Sequence, residues 1–139
     1  MKKIIILFTL VFTLMCSTVA FAECNLDTTR WKWVASDNES SFYYDSKTLH
    51  VLNNHIVEFW LCIYHPFGCD TFKSEHYHNR LVCFDYNRNL MGEKVFITRD
   101  SKGYILSDSS FKDYFYHIIV PDSFVETLFL TIRQDVFGR

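Results

Sequence analysis

Between His65 and His78 the chain reads HPFGCDTFKSEHYH, which places His65, Cys69, Asp70, Glu75, His76 and His78 within fourteen positions. These are metal-ligating types. His76 and His78 stand two apart, so on a strand both imidazoles point to one side. Zinc takes three or four N, S or O ligands in a tetrahedron, and a set built on His65, His76 and His78 meets that need. Against it, the spacing matches no established zinc pattern, and the cysteines have a competing use as disulfides. Residues 66–79 therefore read first as a polar, solvated loop with no metal and no cofactor. Ligand or metal binding through the three histidines is the alternative.

Other chemistry is harder to find. The chain has no G-x-S-x-G, H-E-x-x-H, P-loop or paired-cysteine redox motif. Ser123 and Glu126 form S-x-x-E ahead of an apolar run, which is a helix capping box rather than a nucleophile with its base. Asp45, Asp85 and Asp100 fall near expected strand ends, where aspartates close turns. The expectation is a protein that is not an enzyme.

The first residues suggest where it works. Lys2 and Lys3 precede an apolar run from Ile4 to Met15, and Ala20-Phe21-Ala22 fits a small-residue cleavage site. Residues 1–22 read as a secretory signal peptide, with residues 23–139 as a single domain. Export implies periplasm, cell surface or medium. Cleavage removes two lysines from a chain of formal net charge −2, giving −4. That excludes a basic footprint for nucleic acid, and no second apolar run predicts a membrane span. Cys24, Cys62, Cys69 and Cys83 would then meet an oxidising compartment, where an even number suggests two disulfides. A tight turn at Pro66–Gly68 would place Cys62 opposite Cys69, leaving Cys24 with Cys83. Other pairings, or unpaired thiols, remain open.

The elements that must position these groups are mostly strands. RWKWVA, SFYYD and TLHVL are short β-like runs, separated by turn material such as SDNES and closed by Asn53-Asn54. From His55 to His65 the alternation is clear: Val57, Phe59, Leu61 and Ile63 share an apolar face, and Glu58, Trp60, Cys62 and Tyr64 share a mixed one. RLVCFDY and EKVFITRD read as further strands, and DSKG as a hairpin turn. SDSSFKDYF reads as loop. The end of the chain changes period. Val125, Leu128, Phe129, Ile132 and Val136 form a helical stripe over 123–136. Such a helix is marginal alone in water and needs the apolar sheet face. The fold class is α+β: a curved antiparallel sheet of about six strands with one C-terminal helix packed on one face.

These residues also resemble a family. RWKWVASDNESSFYYD, VEFWLCIY, RDSKGYIL and IIVPDSFVETLFLTI are similar, in this order, to the tryptophan strand, long central strand, glycine hairpin and closing helix of the surface-adhesin protein E-like group of small exported bacterial proteins. The similarity runs from about Trp31 to Val136. It implies the same sheet-and-helix fold and adhesion to a host or cell-surface protein. Members commonly tie a strand to the terminal helix through cysteines. Here no cysteine follows Cys83, so packing alone must hold the helix down.

Aromatic residues make up 18% of the chain. With a helix on one face only, part of that content must lie on the other, and exposed aromatic patches mark partner surfaces. Trp60, Tyr64 and Tyr86 are the candidate partner-binding residues. The first functional reading is an exported, non-enzymatic binding or adhesion module acting through the bare sheet face or the 66–79 loop. Edge-strand pairing into a homodimer is one form of it.

Overall fold

The computed structural model describes residues 26–138. Residues 1–22, read above as a signal peptide, and Cys24 lie outside the described residues. Seven strands and one helix follow in chain order: β1 (Trp31–Ser36), β2 (Ser41–Asp45), β3 (His50–Asn53), β4 (Ile56–His65), β5 (His76–Asp85), β6 (Leu90–Asp100), β7 (Ile105–Ile118) and α1 (Phe124–Phe137). All pairings are antiparallel, in the order β1-β2-β4-β5-β6-β7, with β3 alongside β4. The class is α+β with an open sheet.

Aspartate and asparagine side chains close the turns. Asp37 Oδ1 accepts from the Glu39 and Ser40 amides. Asn53 Oδ1 accepts from those of His55 and Ile56. Asp85 does the same for Asn87 and Arg88, and Asp100 for Lys102 and Tyr104. Asp45 is fully buried, holds the Lys47 amide and pairs with Arg30 at 2.6 Å. The turn roles expected of Asp45, Asp85 and Asp100 are what the structure shows. Gly103 takes φ 88° in the expected hairpin.

The core lies on one face. Val57, Phe59, Leu61 and Ile63 of β4 meet Val82 and Phe84 of β5, Phe42 and Tyr44 of β2, and Leu128, Phe129 and Ile132 of the helix. Helix α1 begins at N-cap Ser123, whose Oγ accepts from the Glu126 amide at 3.2 Å. Glu126 reaches back one residue further than a standard box, accepting from the Asp122 amide at 2.8 Å. Phe124 stacks on Phe42 at 3.9 Å, and Phe129 sits against Phe84 and Tyr86. Tyr44 donates to Asp135, and Tyr86 donates to the Phe129 carbonyl at 3.2 Å. No disulfide joins any two of Cys62, Cys69 and Cys83, so these contacts fasten the helix.

The expected α+β sheet of about six strands with one C-terminal helix is what forms, with seven strands in all. Two local expectations need correction. SDSSFKDYF is part of β7, not loop. It is an edge strand whose residues are nearly all exposed, so it has no buried face to impose alternation and is held by its backbone ladder to β6. Finally, β5 starts at His76 rather than near Arg80, which turns the last part of the supposed loop into strand.

A three-histidine cluster as candidate metal centre

The β4–β5 hairpin brings the cluster together. His65 is paired with His76 at its last rung, and Ile63 is paired with His78 two rungs in. Side chains of paired residues in an antiparallel ladder share a face, so the three imidazoles extend the core face beyond its apolar part. Their ligand atoms all lie within 4.8 Å of one another. The nearest pair, His76 Nε2 and His78 Nε2, is 3.1 Å apart. Four ligands at Zn–N distances of about 2.0–2.1 Å would set N···N edges of about 3.3 Å. The separation of that pair is within a few tenths of an ångström of such an edge.

Each ring is held by its other nitrogen. His76 Nδ1 lies 2.7 Å from the Ser74 carbonyl. A carbonyl only accepts, so this nitrogen carries a proton, and in the neutral ring Nε2 is the nitrogen with the lone pair. His78 Nδ1 is 2.9 Å from Thr98 Oγ1, and His65 Nδ1 is 3.0 Å from Ser40 Oγ. Fixing the remote nitrogen of each ring is how proteins orient metal-binding histidines. Thr98 can serve two states. Without an ion, its hydroxyl donates to His78 Nδ1 while His78 Nε2–H donates to His76. With an ion, His78 Nδ1–H donates to Thr98 and both Nε2 lone pairs face the metal. The Thr98–His78 hydrogen bond is kept in both states with its direction reversed.

Burial sets the charge. His76 is fully buried, while His65 and His78 are half-buried. Desolvation first, then the neighbouring histidines and Arg80, pushes His78 down to about 4. Desolvation, followed by His76, also lowers His65. Both rings are therefore neutral near pH 7, the form that ligates. His65 stacks on His76 at 4.8 Å, and Phe72 packs tilted against His76 and edge-on to His78. Arg80, next along the same face, is paired with Glu93 at 2.8 Å.

The structure sorts the remaining candidates. Cys69 Sγ lies 3.6 Å from His76 Nε2. Glu75 accepts from the Tyr64 hydroxyl at 2.7 Å, and Asp70 is at the surface near Lys73, so neither carboxylate joins the histidines. The Cys62–Cys69 bridge is not formed. A tight turn would have been needed, but the connection is ten residues long and Cys62 pairs in register with Asn79. Cys83 is buried beneath Tyr116, opposite Gly92. The reverse sheet face is less bare than the sequence suggests. Tyr64 is only 2% exposed and stacks on Tyr77 at 4.8 Å. Tyr86 packs under the helix instead. Trp60 borders a cavity of about 330 Å³ shared with Trp31, Arg30 and Arg99, while Tyr86 lines a separate one of about 340 Å³ with His55, Arg133 and Phe137 at the helix end.

Ser40 and Thr98 went unnoticed in the sequence. They sit 25 and 20 residues from the histidines they hold, and only the strand register reveals them. No family profile, curated protein or solved structure matches the chain. Among the described residues, no helix is long and apolar enough to cross a membrane.

Proposed function

We propose that this protein binds a transition-metal ion of the zinc class through His65, His76 and His78. The observation that carries the reading is the convergence of three imidazoles whose ligand atoms lie within 4.8 Å of one another, each with its remote nitrogen engaged by Ser40, Ser74 or Thr98. Imidazole nitrogens suit zinc, copper and nickel and disfavour magnesium and calcium. Binding would draw the set inward by roughly an ångström to reach tetrahedral edges. The role is holding or delivering an ion outside the cytoplasm, following the export signal read in residues 1–22. The test is metal analysis of protein purified without a histidine tag. One zinc or copper per chain, lost in His76→Ala, supports the reading. Absence of stoichiometric metal after exposure to both ions rejects it.

A second reading, adhesion, is favoured by a separate feature. Edge strand β7 runs fourteen residues and exposes Ile105, Leu106, Phe111, Phe115 and Ile118. A long exposed edge strand bearing apolar side chains is a template for strand addition by another chain. This is the form that the adhesin-like resemblance takes here, and it moves the contact from the sheet face to its edge. Binding of the untagged protein to immobilised host-surface proteins, lost in Phe115→Lys, is the result expected. Equal binding by both would remove β7 from the account.

A further inference from the structure

We infer that Cys69 is the fourth ligand of the histidine centre, making it a closed N₃S site rather than a three-histidine site open to substrate. This rests on the metal-binding reading above. A zinc ion with Zn–N of about 2.0–2.1 Å and Zn–S of about 2.3 Å spans N···S edges of about 3.6 Å. Cys69 Sγ and His76 Nε2 are 3.6 Å apart, and His76 Nε2 and His78 Nε2 are 3.1 Å apart. Two edges meeting at His76 thus have tetrahedral lengths, while the thiol lies outside the set of His65, His76 and His78 atoms within 4.8 Å of one another and must swing toward His65 and His78 to complete the site.

The loop is built to deliver the thiol. Gly68 adopts φ +81°, and a Cβ there would fall 2.5 Å from the Lys73 carbonyl carbon and 2.6 Å from the Phe72 carbonyl oxygen. Only glycine fits that turn. Immediately after it, the Cys69 amide donates to the Phe72 carbonyl at 2.6 Å. The chain is folded back so that the Cys69 thiol meets His76 Nε2 and the Phe72 ring packs against the His76 ring. The thiol gives its proton to solvent as the S–metal bond forms, and no electron is transferred. Thiolate with three imidazoles selects zinc-class ions over hard cations, and four protein ligands leave no position for a substrate. The centre therefore stores, carries or staples, and does not catalyse.

Cobalt(II) titration of the reduced, untagged protein tests this. Wild type should bind one cobalt with tetrahedral d–d intensity and a thiolate-to-cobalt charge-transfer band. Cys69→Ser should still bind cobalt, at least tenfold more weakly, without the charge-transfer band, and Cys69→His should restore tetrahedral intensity. Cobalt bound by wild type without a thiolate band, or a band that persists in Cys69→Ser, overturns the assignment of Cys69 and leaves the three-histidine centre standing. No cobalt bound by wild type brings down both.

Discussion

Replacing Thr98 with valine separates a metal centre from a packed cluster of rings. Thr98 is 8% exposed, and its Oγ1 sits 2.9 Å from His78 Nδ1. Valine keeps the shape and β-branching and removes only the hydroxyl. In the metal-free protein the loss is one side-chain hydrogen bond in a half-buried setting, about 0.5–1.5 kcal/mol. In the metal-bound protein the same hydroxyl fixes the ring and tautomer of a ligand, and removing such a support weakens metal affinity by about 10–100-fold. That is about 1.4–2.8 kcal/mol in addition. Urea unfolding of metal-free wild type and Thr98→Val measures the first quantity. Zinc titration against a competing chelator measures the second. Unchanged zinc affinity in a variant with the expected small stability loss would refute the claim that Thr98 orients a ligand.

Other consequences follow from the packing. Ser123→Ala removes the N-cap acceptor of α1 and should destabilise the protein by about 0.5–2 kcal/mol, read from the urea midpoint. A larger loss would mean Ser123 does more than cap. Phe129→Ala takes a ring from between Phe84 and Tyr86 and should cost about 3–5 kcal/mol. A loss under about 1 kcal/mol would show that the helix is not fastened through this residue. Ile118, 77% exposed on the β7 edge, should tolerate lysine within about 0.5 kcal/mol. Any self-association seen by sedimentation in the wild type should fall in Ile118→Lys. Unaltered association would place the contact elsewhere.

Much of the fold was legible because buried elements impose a period. Val57, Phe59, Leu61 and Ile63 announced both the longest-read strand and the face that the helix covers, and S-x-x-E announced the helix start within one residue. Strand β7 was illegible for the opposite reason: exposed on an edge, it buries no face and so carries no alternation. The start of β5 was hidden in the same way. His76, His78 and Arg80 alternate with Tyr77, Asn79 and Leu81, but the inward set is polar, and a polar inward set does not register as a hydrophobic period. That is why residues of the right type read as a solvated loop. The histidine types and the two-residue spacing were visible. Their juxtaposition with His65, and the approach of Cys69, came only from a hairpin whose last rung joins His65 to His76 and whose loop folds back at Gly68.

The placement of Trp60, Tyr64 and Tyr86 shows a related limit. Alternation assigned Trp60 and Tyr64 to the mixed face, and the register agrees. It could not show that Tyr64 would be buried against Tyr77 and tied to Glu75, or that Tyr86 would lie beyond the strand and under the helix. Aromatic content alone therefore overstated how much of the sheet is open.

The most direct measurement is anomalous X-ray scattering above the zinc edge from crystals of the untagged protein grown with one equivalent of zinc. The account predicts a single strong peak about 2.0–2.1 Å from nitrogens of His65, His76 and His78. Rings left in their metal-free hydrogen bonds, with no peak among them, would contradict it.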